Sequence, residues 1–81
     1  MAIFLLKNRG NLGMKNNVRI VRLTQKLSQT DLAEKAGVSR QTIYSVEQGR
    51  YIPSTVLALK ISSILEKNIE ELFELESEDW D

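Results

Sequence analysis

The sequence predicts an all-α domain built from five short helices. Three observations predict it: apolar residues recur at helical spacing along most of the chain, Ser or Asn stands where helix N-caps are needed, and glycines close two of the apolar stretches. Strand-like alternation is confined to Phe73-Glu74-Leu75-Glu76, which allows at most a short terminal β-strand pair. At 81 residues and 9.3 kDa the chain can form one modest core. A hydrophobic share of 42% and a balanced charged share of 27% are those of a folded globule, not of a disordered polyelectrolyte.

The first helix is expected from about Asn17 to Leu27, with Val18, Val21 and Leu27 near one face and Arg19, Arg22 and Lys26 among the polar positions. Ser28 reads as the N-cap of the second. Asp31, three residues on, makes a shortened capping box, and Leu32, Ala33 and Ala36 gather on one side. Gly37 ends this helix, because glycine tolerates the left-handed conformation of a C-terminal cap, and Val38 folds back before Ser39 caps the third helix. At ~100° per residue, Ile43, Val46 and Glu47 share one side of the stretch from Arg40 to Gln48. Arg40, Gln41, Tyr44, Ser45 and Gln48 share the other. Gly49 closes it, a loop runs through Arg50, Tyr51, Ile52 and Pro53, and Ser54 caps a fourth helix to about Leu65 with Leu57, Ile61 and Leu65 facing inward. Asn68 starts a short fifth helix carrying Ile69 and Leu72, and residues 77–81 read as a frayed acidic tail. The domain thus spans residues 14–76. Residues 1–13, turn-rich from Asn8 to Gly13, read as an N-terminal extension ahead of Met14, a candidate natural start.

Cysteine and histidine are both absent. Disulfides, thiolate or imidazole metal sites, Ser-His and Cys-His nucleophiles and the usual general base near neutral pH go with them, so no enzyme and no cofactor is expected. The paired carboxylates Glu70-Glu71 and Glu76-Glu78-Asp79 lie at an exposed end with no group to tune them. The apolar run Ala2 to Leu6 is far shorter than the ~20 residues of a spanning helix, which predicts no membrane association and a cytoplasmic location. Eleven basic and eleven acidic residues cancel. Their placement does not: residues 1–60 hold ten basic and three acidic groups, a net +7, and residues 61–81 hold one basic and eight acidic, a net −7. A body of +7 could hold a polyanion, with the acidic end turned away or screening it.

Two helices of eight to nine residues joined at Gly37-Val38-Ser39 have the spacing of a helix-turn-helix, whose second helix enters the DNA major groove. The tight turn asks for small apolar inner positions, met by Ala33, Gly37 and Val38. The run Gln29-Thr30-Asp31-Leu32-Ala33-Glu34-Lys35-Ala36-Gly37-Val38-Ser39-Arg40-Gln41-Thr42-Ile43, followed by Val46-Glu47-Gln48-Gly49-Arg50-Tyr51 and Pro53-Ser54, resembles the Cro and phage-repressor (XRE) family. The likeness is greatest to its short single-domain members and covers roughly residues 16–76. It implies a five-helix phage-repressor-like fold and a transcriptional regulator, a repressor by expectation, with double-stranded DNA as partner and no small-molecule ligand.

The resemblance also implies roles. Arg40 and Gln41 occupy the first turn of the recognition helix, where arginine can pair bidentately with guanine and glutamine with adenine. Ser45 matches a reading position one turn on. Tyr44 departs from the Asn found there in short members, which leaves the base it meets open. Gln29 corresponds to a glutamine that holds a phosphate, and Arg50 and Tyr51 to loop residues that reach flanking phosphates. Lys15, Asn16, Asn17 and Thr42 join them as further phosphate candidates. Glu47 stands on the core side of its helix, where an unpaired carboxylate is costly. The family supplies its partner from the first helix, and Arg22 holds that position.

One small domain carries one recognition helix, so a homodimer on a palindromic site is expected. Leu65, Ile69, Leu72 and Phe73 form more apolar surface than a small core should cover, and the interface is expected there. The terminal strand needs an edge partner, either Lys15-Asn16 or Ile3 to Leu6. A different class of function stays open: an antitoxin-type protein-interaction module, with the apolar head and acidic tail as its binding segment.

Overall fold

A computed structural model describes residues 14–80. Within them the chain forms strand β1 (Lys15–Asn16), helices α1 (Val18–Thr24), α2 (Gln29–Ala36), α3 (Arg40–Glu47), α4 (Thr55–Leu65) and α5 (Ile69–Leu72), strand β2 (Phe73–Glu74) and a 3-10 turn (Ser77–Trp80). Residues 1–13, Ile3 to Leu6 among them, and Asp81 lie outside the described residues.

The expected caps form. Ser28 Oγ accepts from the Asp31 N–H at 2.9 Å while the Asp31 carboxylate accepts from the Ser28 N–H at 3.0 Å, closing the capping box. Ser39 Oγ accepts from the Thr42 N–H and Ser54 Oγ from the Leu57 N–H, both at 3.1 Å. Gly37 sits at φ +73°, and a Cβ built on it meets no atom within 4 Å. The position therefore needs glycine for its backbone angle, and the expectation that it must be small to let the helices approach is corrected: Ala33, 2% exposed, fills that role.

The Ser28 backbone N–H that donates to the Asp31 carboxylate, helped by the Ser28 side chain, favours the ionised form and holds the carboxyl below the ordinary 3.8. A depressed native pKa adds stability above the unfolded value that is lost as pH falls through the folded one. Asp31→Asn is therefore expected to flatten the decline in melting temperature below about pH 4 relative to the parent chain, read by circular dichroism.

The core comprises Val18, Leu32, Ala33, Ala36, Ile43, Val46, Leu57, Ile61, Leu65 and Leu72, with Val21, Leu27, Val38, Ile64 and Phe73 packed on it. Leu65 and Leu72 are 0% exposed. This corrects their placement in a dimer interface: α5 folds back so that both close the monomer's own core, and they offer no surface to a second copy. Ile69 and Phe73 stay half-buried.

Two boundaries also differ from expectation. Helix α1 ends at Thr24 rather than Leu27, because Lys26 takes a left-handed φ of +61° and the Leu27 carbonyl is claimed by Arg22 Nη1 at 2.8 Å. Strand β2 stops at Glu74 rather than Glu76. It pairs antiparallel with β1, Lys15 opposite Glu74 and Asn16 opposite Phe73. Residues 77–80, within the expected acidic tail, form a 3-10 turn: Glu76 O accepts from the Asp79 N–H at 2.9 Å, and Asp79 Oδ2 accepts from the Glu76 N–H at 2.6 Å.

Candidate nucleic-acid interface

Helix α3 is held from three directions, and this leaves one face outward. Its N-terminus is capped by Ser39, and Ile43 and Val46 sink into the core at 0% and 1% exposure. Its last turn carries Glu47, whose side chain is 0% exposed. Arg22 of α1, itself 5% exposed, meets that carboxylate through Nε at 2.7 Å and Nη2 at 3.2 Å. The third guanidinium nitrogen donates to the Leu27 carbonyl. Two parallel N–H···O bonds fix the mutual orientation of α1 and α3 as well as neutralising a charge the core could not hold.

Opposite this clamp, Arg40, Gln41 and Tyr44 are exposed and Ser45 half-exposed. Among the described residues their side chains make no hydrogen bond or ion pair. Polar side chains without an intramolecular partner, fixed on a rigid helix, are free to meet a ligand's hydrogen-bonding edge. Arg50 and Tyr51 follow on the exposed loop after Gly49, where the Arg50 N–H donates to the Ser45 carbonyl at 2.9 Å and ties the loop to the helix end.

The remaining phosphate candidates are more committed. Gln29 Nε2 donates to Glu47 Oε1 at 3.1 Å, adding a third donor to that carboxylate and leaving the Gln29 oxygen and backbone. The Thr42 hydroxyl is 2.9 Å from Ser39 Oγ. Asn17 Nδ2 donates to the Glu71 carbonyl and its N–H to that of Leu72, so Asn17 serves the junction of β1 with α5. Asn16 is spent at both ends, Nδ2 on the Val46 carbonyl at 2.8 Å and Oδ1 on the Val18 N–H at 3.2 Å. Lys15 faces Glu74 at 3.7 Å with both side chains more than half exposed, a pair that solvent screens and that leaves the ammonium accessible.

A feature that helical periodicity alone passed over is the outer face of α4. Val56 is 64% exposed and Leu59 53%, and Ile52 in the preceding loop is 48% exposed. The signal was present in Thr55-Val56-Leu57-Ala58-Leu59, which is too apolar around its circumference for a helix with one buried side.

An all-α domain with a capped helix-turn-helix and an outward polar helix face defines a DNA-binding module. Residues 18–72 match the helix-turn-helix family, and the chain belongs to its XRE-type DNA-binding transcriptional regulators. It is 46% identical over 66 residues to an HTH-type transcriptional regulator of Methanocaldococcus jannaschii, covering 82% of this chain and 100% of that one. With the HTH-type transcriptional regulator YgzD of Bacillus subtilis it shares 45% identity over 65 residues, 80% of this chain and 98% of the other. Among solved structures, the restriction-modification controller protein C.AhdI from Aeromonas hydrophila superposes with a TM-score of 0.65 at 33% identity, over 68% of this chain and 83% of that one. Among the described residues no helix is long and apolar enough to cross a membrane.

Proposed function

We propose that this regulator is a repressor that binds a palindromic operator as a homodimer in the cytoplasm, with α3 of each copy in the major groove. The observation that carries the reading is the uncommitted face of α3, Arg40, Gln41, Tyr44 and Ser45, fixed by a capped N-terminus and a buried ion pair. Arg40 and Gln41 read base edges. Tyr44 and Ser45 complete the contact one turn on, and Arg50, Tyr51, Lys15 and the start of α2 at Gln29 take phosphates on either side. Thr42 and Asn17 act through the helix cap and the strand junction rather than on DNA directly.

The second copy sits on the face formed by Ile52, Val56 and Leu59, in place of Leu65 and Leu72. That face is apolar, exposed and unused by the core, which marks a contact surface. Two copies related by a two-fold axis then present two recognition helices to half-sites one helical turn apart.

Titration of duplex DNA by fluorescence anisotropy at several salt concentrations tests the reading. Affinity is expected to fall linearly with salt on logarithmic axes, and Arg50→Ala to reduce that slope by about one while weakening all sequences alike. In parallel, Leu59→Asp is expected to leave the helical spectrum intact and convert the dimer to monomer in sedimentation. A salt slope of zero, or a dimer untouched by that aspartate, contradicts the reading.

A further inference from the structure

A groove of about 390 Å³ opens between α4 and α5. Ile52, Pro53 and Ala58 line it from α4 and the loop before it, Ile69 and Phe73 from α5 and β2, and Met14 from the start of the described chain. Thr55 and Glu70 are its two polar residues. Phe73 packs on the core yet is only half-buried, as is Ile69, and Ile52 is 48% exposed. Hydrocarbon and an aromatic ring thus meet water along a channel that the helices do not fill, which marks a contact surface. Glu70 makes no side-chain hydrogen bond or ion pair among the described residues, so its carboxylate is open to a cation beside the apolar walls.

Met14, on the wall, is where residues 1–13 join the domain, so the chain enters directly at the groove. That segment holds the apolar run Ala2-Ile3-Phe4-Leu5-Leu6 followed by Lys7 and Arg9, two basic groups with no acidic one. Its order matches the groove: large apolar side chains for the walls, then a cation for Glu70. Seven residues, 7–13, separate the run from Met14. Extended, they reach about 25 Å. An eleven-residue helix such as α4 is only ~16 Å long, so the tether can double back and still lay the run along the groove. Asn8, Gly10, Asn11 and Gly13 are residues that turn a chain. A segment on so short a tether is present at an effective concentration on the order of millimolar, which favours it over a separate molecule.

We propose that residues 3–6 of the same chain fill this groove, with the Phe4 ring against Ile69 and Phe73 and the Lys7 ammonium beside Glu70. The contact enlarges a core that is small for want of chain length, and it fixes the junction of α4 with α5. Val56 and Leu59 are not among the groove residues, so the face assigned above to the second copy stays open, and the inference does not rest on the homodimer.

Nuclear Overhauser spectra of the full chain test it, recorded on uniformly labelled protein and on a mixture of labelled and unlabelled copies. The expected result is contacts from the Phe4 ring to the Ile52 and Ile69 methyl groups, unchanged on tenfold dilution and absent between labelled and unlabelled copies. Phe4→Asp in the full chain is expected to remove these contacts and lower the melting temperature by about 5 °C or more while the helical spectrum stays intact. Glu70→Lys is expected to weaken the contacts, and Lys7→Glu in the same chain to restore them. Contacts found only between copies place the segment in a second molecule and overturn the proposal. A full chain with no contact from residues 3–6 to the groove, or a melting temperature indifferent to Phe4→Asp, overturns it too.

Discussion

Replacing Glu47 with alanine is expected to destabilise the domain by about 3–5 kcal/mol, more than any substitution on the outward face of α3. Two charges share this part of the core. Removing the carboxylate leaves the Arg22 guanidinium, 5% exposed, with only the Leu27 carbonyl to accept from it. It also strands the Gln29 amide that donates to the same carboxylate. For a domain of this size such a loss lowers the melting temperature by roughly 12 °C or more. Arg22→Ala is expected to cost a similar amount, because it leaves a fully buried carboxyl group without its counter-charge and with one of its oxygens unpaired. The double replacement by leucines is expected to recover much of either loss, since a buried ion pair adds little net stability over well-packed hydrocarbon. Urea denaturation of the two single variants and the double one decides it. Two negligible single losses would mean that the pair holds nothing together. The same variants separate support from reading: DNA affinity should fall with the folded fraction, while preference among sequences stays as it was.

Gln41→Ala and Arg40→Ala are expected to do the reverse. Both side chains are exposed on the free face of α3, so their removal should leave the unfolding curve within about 0.5 kcal/mol of the parent. Removing either bidentate pairing should cost ~1–3 kcal/mol at one base pair of the half-site and relax the preference there. Competition assays with every single-base variant of the best site give the pattern. A substitution that weakens all sites equally, as Arg50→Ala is expected to, assigns that residue to phosphate instead, and if both Arg40 and Gln41 behave that way, α3 does not read sequence.

The helix-turn-helix was legible because its signals are local. Ser28, Gly37 and Ser39 punctuate the chain at spacings that capped helices satisfy, and Ile43, Val46 and Glu47 fall on one side of a 3.6-residue period. That Glu47 needs a partner was readable too, since a carboxylate on a core-facing position requires one, but Arg22 as that partner came from the resemblance to the phage-repressor family. What local patterns could not supply was the accounting between elements. Whether Leu65 and Leu72 close the monomer's core or face a second copy depends on how α5 folds back, and the structure closes the core with them. The choice of Lys15-Asn16 as partner of β2 likewise follows from tertiary hydrogen bonds, Asn16 to the Val46 carbonyl and Asn17 to Leu72. The double duty of Gln29, adjacent to the expected phosphate site yet bonded to Glu47, lies in no periodicity at all.

Selection of bound duplexes from a random pool tests most directly whether two copies read DNA through the outer face of α3. The expected result is convergence on an inverted repeat whose half-site centres lie about 10 base pairs apart, with Gln41→Ala loosening the same position in both halves. A pool that fails to converge, or that converges on a site unchanged by substitution at Arg40 and Gln41, would contradict that mode of recognition.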